Sequence, residues 1–486
     1  MRTALACLLI LATTACGGRA DDGVVDVAFI TGADALFAQG VRLESAGQHL
    51  RAGQSQGLVR LDAAGQVVPA LAERWIVTDD GASYIFRIRE FDLPGGTRLT
   101  AQTVRDELQR NVTSLGGTSM GLDLAKIADI RAMTGRVIEI RLKSPMPGLL
   151  QLLAQPELGV VLGKSPTGIM RLVRDGDVAV LNALAPEERG LPIQPEWDAD
   201  LHQVRVYAAD AAAATAGFAG GKYDMVLGGQ IATMPLADTG ALSRGTVRLD
   251  SAIGLFGLDI IQREGFLAQR ENREALAMAI DRDKLLTPFN IGGWIPTTRI
   301  VAPGMPGDSE TVAERWEDMS LDQRRARAAS RVRQWAAGNG GAPTLRISLP
   351  AGPGSDLLFQ SLERDFAAIG ITASQVAPGA KADLLLRDRV ARYGAARWFL
   401  NQFNCRVAST VCVVEADALV ARTLTTQDMA EEAALLDEAE VLLTAANFYI
   451  PLGAPIRWSL VRAGTVGFTE NPWSFHPLFP LSRAPM

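Results

Sequence analysis

The chain has 486 residues, 48% of them hydrophobic, with 54 acidic and 48 basic side chains for a formal charge of −6. That length and composition bury several cores and exclude a single small domain. Acids and bases are mixed without a basic run, which argues against nucleic acid as a partner, and three histidines in all give little support to a metal-handling enzyme.

The first segment, MRTALACLLILATTAC, opens with Arg2, runs apolar from Ala4 to Ala12 and reaches small residues before Cys16. The apolar run is far shorter than the roughly 20 residues of a membrane-spanning helix, so residues 1–15 read as a signal peptide. Thr13-Thr14-Ala15-Cys16 resembles a bacterial lipobox, with Thr13 where Leu is usual. The expectation is acylation of Cys16 and a place in the periplasm or on the outer face of the cytoplasmic membrane. The alternative is ordinary cleavage nearby, into the same compartment.

Tyr84, Phe86 and Ile88 alternate as a half-buried strand does, and so do Ile138, Ile140 and Leu142. Between them Thr100 is placed to cap a helix whose inner face carries Val104 and Leu108. This stretch reads as an α+β unit. It contains Gly117-Thr118-Ser119-Met120-Gly121, a match to the G-x-S-x-G nucleophile elbow, but the elbow needs a strand just before the serine and the preceding residues read as helix. "GVVLGKS", Gly159 to Ser165, is one residue short of a phosphate-cradling loop. No catalytic residue, metal site or cofactor site is assigned.

Farther along, Leu345, Ile347 and Leu349 alternate as a strand, Leu358, Leu362, Phe366 and Ile369 form a helical stripe ended by Gly370, and a strand is expected at Ile371–Val376. With the apolar run Leu384-Leu385-Leu386 this order indicates a mostly parallel sheet covered on both faces. A helix is expected from Gln427 to Ala446, followed by a tail of packed extended chain. With Cys7 removed and Cys16 acylated, Cys405 and Cys412 are the remaining thiols in an oxidising compartment, where a disulfide is expected. A metal site is the competing reading, and C-x6-C without a second pair or a nearby histidine lacks zinc spacing.

Several segments together resemble the extracellular solute-binding proteins of ABC importers, of the dipeptide/oligopeptide-binding family. "GLVRLDAAGQVVPALAERWIVTDDGASYIFRIRE" is similar to that family's P-x-LA-x-x-W followed by DG-x-x-Y-x-F-x-(L/I)-R. "GGTRLTAQTV" resembles DG-x-x-(L/F)-TA-x-D-V, with Gly96 and Thr103 in place of acids. "GGKYDMVLGG" and "RENREALAMAIDRDKLL" resemble two later motifs. These read as scaffold: Asp281 can cap a helix from Arg282, and Leu71 and Trp75 have the size of core residues.

The resemblance implies an α/β, two-lobed periplasmic binding protein fold of class II, large type, with mixed sheets, an extra inserted subdomain and a hinge between lobes. It divides the chain into 16–44 with 171–255 and 448–486 as the main part of lobe I, 45–170 as the insert, and 256–447 as lobe II. It further implies a monomer that closes over a small solute, peptide or anionic, and hands it to permease and ATPase subunits. "RDRVARYGAARWFLNQFNC" resembles the family's W-x-x-D-Y-x-D-P-x-x-F loop, which in peptide binders supplies an acid for the ligand's α-amine. Here Ala391, Gly394, Ala395 and Ala396 stand in that region with Arg389, Arg392 and Arg397 around them. The expected ligand-binding residues are Asp356, Arg392, Tyr393 and Trp398. The alternative functions are a secreted esterase using Ser119, and a sensor or chaperone that keeps the fold without a permease.

Overall fold

The computed structural model describes residues 23–93, 96, 98–162, 165–238 and 245–483. The signal segment and Cys16 lie outside the described residues.

Val24–Ile30, an apolar run interrupted only by Asp26, is the central strand of a seven-stranded sheet, and its inner five residues are all buried. A strand covered on both faces needs such an unalternating run. It lies parallel to Gln203–Ala209 on one side and Met225–Gln230 on the other. Met170–Asp175 and Val178–Ala183 extend one edge, and Arg457–Val461 and Val247–Asp250 the other, all antiparallel.

A second, five-stranded sheet runs in the order Thr372–Val376, Thr344–Ser348, Leu384–Val390, Gly254–Ile260, Tyr449–Gly453. Thr344–Ser348 is parallel to both its neighbours. The Pro353–Ala367 helix buries Leu358, Leu362 and Phe366 against it, and Gly370 at φ +86° turns the chain in a conformation that disfavours a side chain. The second lobe extends past its expected ends at 256 and 447. Strand pairing sets Gly254–Ile260 between Leu384–Val390 and Tyr449–Gly453, so the chain crosses between sheets at 251–253 and 454–456. The expected extended tail contains two fully buried strands, one in each sheet.

The insert is a four-stranded antiparallel sheet, Ala72–Val77, Ser83–Ile88, Val137–Leu142 and Ile127–Ala132 in spatial order, with the Ala101–Ser114 helix packed on it. Thr103, where an acid is usual in the resembling motif, completes a capping box: Thr100 Oγ1 accepts from the Thr103 amide, and Thr103 Oγ1 accepts from the Thr100 amide at 3.0 Å. Leu71 is buried as expected. Trp75 is only partly so, because Ala72–Val77 is an edge strand whose outer positions are exposed.

One apolar core joins the insert to the second lobe: Phe86, Ile138 and Leu149 share a cluster with Tyr393, Phe399 and Leu436. Cys405 and Cys412 form a disulfide with Cα atoms 5.1 Å apart. Among the described residues no helix is long and apolar enough to cross a membrane.

Candidate ligand cleft and the loop beside it

In an open α/β sheet, ligands gather outside the carboxyl ends of the strands, where the chain turns to opposite sides of the sheet. Val24–Ile30 and Thr344–Ser348 are such positions in their two sheets, since each has a parallel neighbour on both sides. Their crevices begin at Thr31-Gly32 and at Leu349–Gly352. The lobes meet here through backbone. A Cβ on Gly354 would stand 1.9 Å from the Ile231 carbonyl oxygen, and one on Gly352 would stand 2.3 Å from that of Ala232. Ile231 directly follows the Met225–Gln230 strand of the first lobe. The amino end of the Pro353–Ala367 helix therefore lies on first-lobe carbonyls, a favourable approach for the positive end of its dipole. The Ser355 hydroxyl at this end is fully buried and has no partner among the described residues.

The loop after Leu384–Val390 starts at the crossing, where the Ala391 amide donates to Ile253 O at 2.7 Å. Arg392 then turns to the insert. Its Nε donates to Gln155 Oε1 at 2.8 Å and its terminal nitrogens to Glu157 at 2.7 and 3.1 Å. Gln155 returns a bond to Arg392 O at 2.8 Å, and Gln151 Oε1 accepts from the Gly394 amide at 3.0 Å. Asp123 of the insert collects three donors from the same loop: the Tyr393 hydroxyl, Arg397 Nε at 3.0 Å and Asn401 Nδ2 at 2.9 Å. Burial pushes the Asp123 carboxyl above its ordinary range, and Arg397, Tyr393 and Asn401 pull it back in part. Burial, then the Asp123 charge, holds the Tyr393 phenol well above its ordinary value, so it stays a donor. Beside this knot Lys126 of the insert donates to Glu432 at 2.7 and 2.8 Å.

Of the four expected ligand-binding residues, three share this loop and one does not. Arg392 faces Glu157, Tyr393 faces Asp123, and Trp398 is buried edge-on against Phe399 with ring centroids 5.0 Å apart. Asp356 lies on the exposed face of its helix and accepts from Gln375 at 3.3 Å. Sequence reasoning missed Asp123, Gln151, Gln155 and Glu157, which no local motif marks. It also missed Trp473, whose indole nitrogen donates to Gly65 O at 3.1 Å and whose ring stands 3.3 Å from a Cβ built on Gly394.

Buried polar groups also stand at the two crossings. His49 Nδ1 donates to Ser45 O at 2.6 Å, and its Nε2 accepts from the His476 amide at 3.0 Å. Burial, outweighing the bond to Ser45, lowers its pKa to about 3. His476 in turn bonds Asp250 at 3.1 Å, the last residue before the first crossing. At the second crossing Arg457 of the first lobe donates to Asp388 of the second at 2.7 Å.

Ser119 does not stand on an elbow. Thr118 caps the short Ser119–Leu124 helix, and the turn before it follows the Ala101–Ser114 helix, with no strand preceding the serine. A cavity of about 910 Å³ lies on the second lobe between the Arg270–Ala279 and Met429–Ala446 helices, and its lining includes no residue of the 391–401 loop. Its Asp437 and Glu440 bond Ser309, Thr311 and Arg299 within the lobe. Among the described residues no group of three or more His, Cys, Asp and Glu is placed to hold a metal ion.

Residues 66–170 and 197–403 match the family model described as bacterial extracellular solute-binding proteins, family 5. The probable deoxycholate-binding periplasmic protein of Escherichia coli is 33% identical over 121 residues, covering 21% of this chain and 23% of that protein. The glutathione-binding protein of Shigella flexneri is 30% identical over 115 residues, covering 24% of this chain and 22% of that protein. The matched stretch thus spans under a quarter of each of these relatives. The crystal structure of Haemophilus influenzae OppA with the peptide RPPGFSPFR superposes with a TM-score of 0.78 at 15% identity, covering 96% of this chain and 99% of that one.

Proposed function

Since this chain belongs to the family 5 bacterial extracellular solute-binding proteins, we propose that it is the lipid-anchored substrate-binding component of an ABC importer, taking a small solute that is anionic or amine-blocked. In this reading Cys16 carries the anchor, the two lobes close on the solute, and the permease and ATPase subunits receive it from the closed shape.

The observation that carries the choice of solute is the pairing of Arg392. The resembling loop of peptide binders supplies an acid for the ligand's α-amine; here that loop carries Arg392, and the nearest insert acids are already engaged. Glu157 holds Arg392, and Asp123 holds Tyr393, Arg397 and Asn401. An ammonium group entering beside Asp123 would have to displace the buried Arg397 from its carboxylate, at a cost of several kcal/mol. A carboxylate faces no such competition. Relatives named for deoxycholate and for glutathione fit a family position in which free dipeptides are not the sole ligands.

A thermal-shift screen tests this. Free dipeptides, their N-acetylated forms and small organic carboxylates are compared at equal concentration. A ligand at one hundred times its dissociation constant stabilises by about 2.7 kcal/mol. N-acetyl peptides or carboxylates are expected to raise Tm while the free dipeptides do not, and the reverse order would overturn the assignment of the solute.

A further inference from the structure

Where the insert meets the first lobe, four arginines gather that form no ion pair among the described residues. Arg60 lies on the Val59–Leu61 strand of the insert. Arg89 follows the Ser83–Ile88 strand, with its guanidinium donating to Ala70 O. Arg189 ends a short turn of the first lobe, and Arg483 pairs with Leu201 in the chain's last described residues. Arg189 and Arg483 lie over the same Phe479 ring, 5.4 and 5.9 Å from its centroid. The turn bearing Arg189 is pressed onto Phe91, two residues from Arg89, so closely that a Cβ on Gly190 would stand 2.5 Å from that ring.

Among the described residues none of the four forms an ion pair; Asp62, Glu73 and Glu187 act on Arg60, Arg89 and Arg189 without pairing with them, and most of the nearby acids bond other groups. Glu73 holds Arg87 and Arg136, Glu188 holds Arg171, and Asp62 accepts the Ala64 and Gln66 amides of its own turn. Burial lowers the pKa of Arg189, and Arg483, Arg60 and Arg89 lower it further, opposed by Glu187. Like charges gathered at a partly buried place are costly unless an anion joins them.

The position of the cluster indicates which anion. His202 donates its amide to Ser482 O at 2.8 Å, and Gln203 donates to Gly23 O at 2.8 Å. The first described residue therefore lies beside the strand end that carries Arg483. Gly23 follows Cys16 by seven positions, a reach of at most roughly 25 Å. An acyl chain on Cys16 would hold this side of the first lobe close to a bilayer surface.

We propose that Arg60, Arg89, Arg189 and Arg483 form a binding site for a phosphate-bearing anion, with the headgroups of an anionic bilayer as the source its position favours. The placement at the surface rests on the anchoring of Cys16, whereas the site itself does not. Guanidinium forks suit phosphate oxygens. Each arginine near an anionic surface adds about 1 kcal/mol of attraction, or about fivefold in partition.

The test uses the mature chain with Cys16→Ser, so that no acyl chain contributes, without added solute. Co-sedimentation is measured with vesicles of phosphatidylcholine alone and with phosphatidylglycerol included, and Tm is followed with inorganic phosphate. Stronger partition onto the phosphatidylglycerol vesicles is expected, lost in high salt and reduced about fivefold for each of Arg60→Gln, Arg189→Gln and Arg483→Gln. A rise in Tm with phosphate that the triple variant loses, without vesicle binding, would keep the site and assign it to free phosphate. Vesicle binding unchanged in the triple variant, or no response to either probe, would overturn it. If the triple variant is unfolded by circular dichroism, exposed Arg483→Gln alone carries the test. Failure of the solute screen leaves this result unaffected, because no solute is present.

Discussion

The second lobe is held from two sides by different means. Toward the insert it offers side chains: Tyr393, Arg397 and Asn401 close on Asp123, and Arg392 on Glu157. Toward the first lobe, away from the Arg457–Asp388 pair at the crossing, it offers backbone, with Gly352 and Gly354 admitting the carbonyls of Ala232 and Ile231. The first contact is specific because each buried charge has one partner that satisfies it. The second is specific because only glycine leaves room. A polar knot resists opening by the cost of stranding a charge, while a backbone contact between two rigid elements releases without stranding one, which suits a surface that must part when solute enters or leaves.

Breaking the knot should have the largest effect. Asp123→Ala leaves Arg397 buried without its carboxylate, and a loss of about 3–5 kcal/mol is expected in urea unfolding; a loss below about 1 kcal/mol would show that the knot does not hold the two parts together. Gly354→Ala tests the other side. The added methyl overlaps the Ile231 carbonyl and should cost about 1–3 kcal/mol, with an increase in the radius of gyration by small-angle scattering as the lobes part. An unchanged radius would mean that the glycine does not govern their approach.

Acid sharpens the comparison by loosening a third junction. His49 is neutral when folded, with a pKa of about 3 against 6.5 when free. Protonation favours the unfolded chain, so the stability this group leaves intact above pH 6.5 falls as pH drops toward 3, by about 1.4 kcal/mol per pH unit. His49→Gln should flatten that part of the stability profile, and an identical slope in the variant would remove His49 as its cause. The smallest effect is expected from Glu157→Gln. The Arg392 side chain is 24% exposed and keeps Gln155, so about 1 kcal/mol or less should be lost, measured as a shift in the urea midpoint.

Much of the scaffold was legible in the sequence because burial leaves a period. Tyr84-Phe86-Ile88 and Ile138-Ile140-Leu142 alternate, and they face one another in register as Phe86 opposite Ile138. Leu358, Leu362 and Phe366 recur at helical spacing and are buried together. The tail was less legible: Tyr449–Gly453 and Arg457–Val461 are buried on both faces, so their sequences show no alternation. Asp356 illustrates the limit at the site. Its place at a helix start was readable, but which face of the helix turned outward depended on the strand carrying Gln375.

The sequence by itself determined the strands at 84–88 and 138–142 of the insert, the strands and helices between 345 and 446 of the second lobe, the glycine that ends a helix, the family motifs in their order and a cysteine pair close enough to join. Each of these is set by neighbours within a few turns of chain. Only the tertiary structure decided what the loop after Val390 does with its charges, because the partners come from far away: Asp123 lies 270 residues before Tyr393 and 274 before Arg397. A periodic pattern reports which side of an element is buried. It carries no information on which distant carboxylate will meet an arginine there, and that meeting turned a loop of arginines and alanines into a closed contact with the insert.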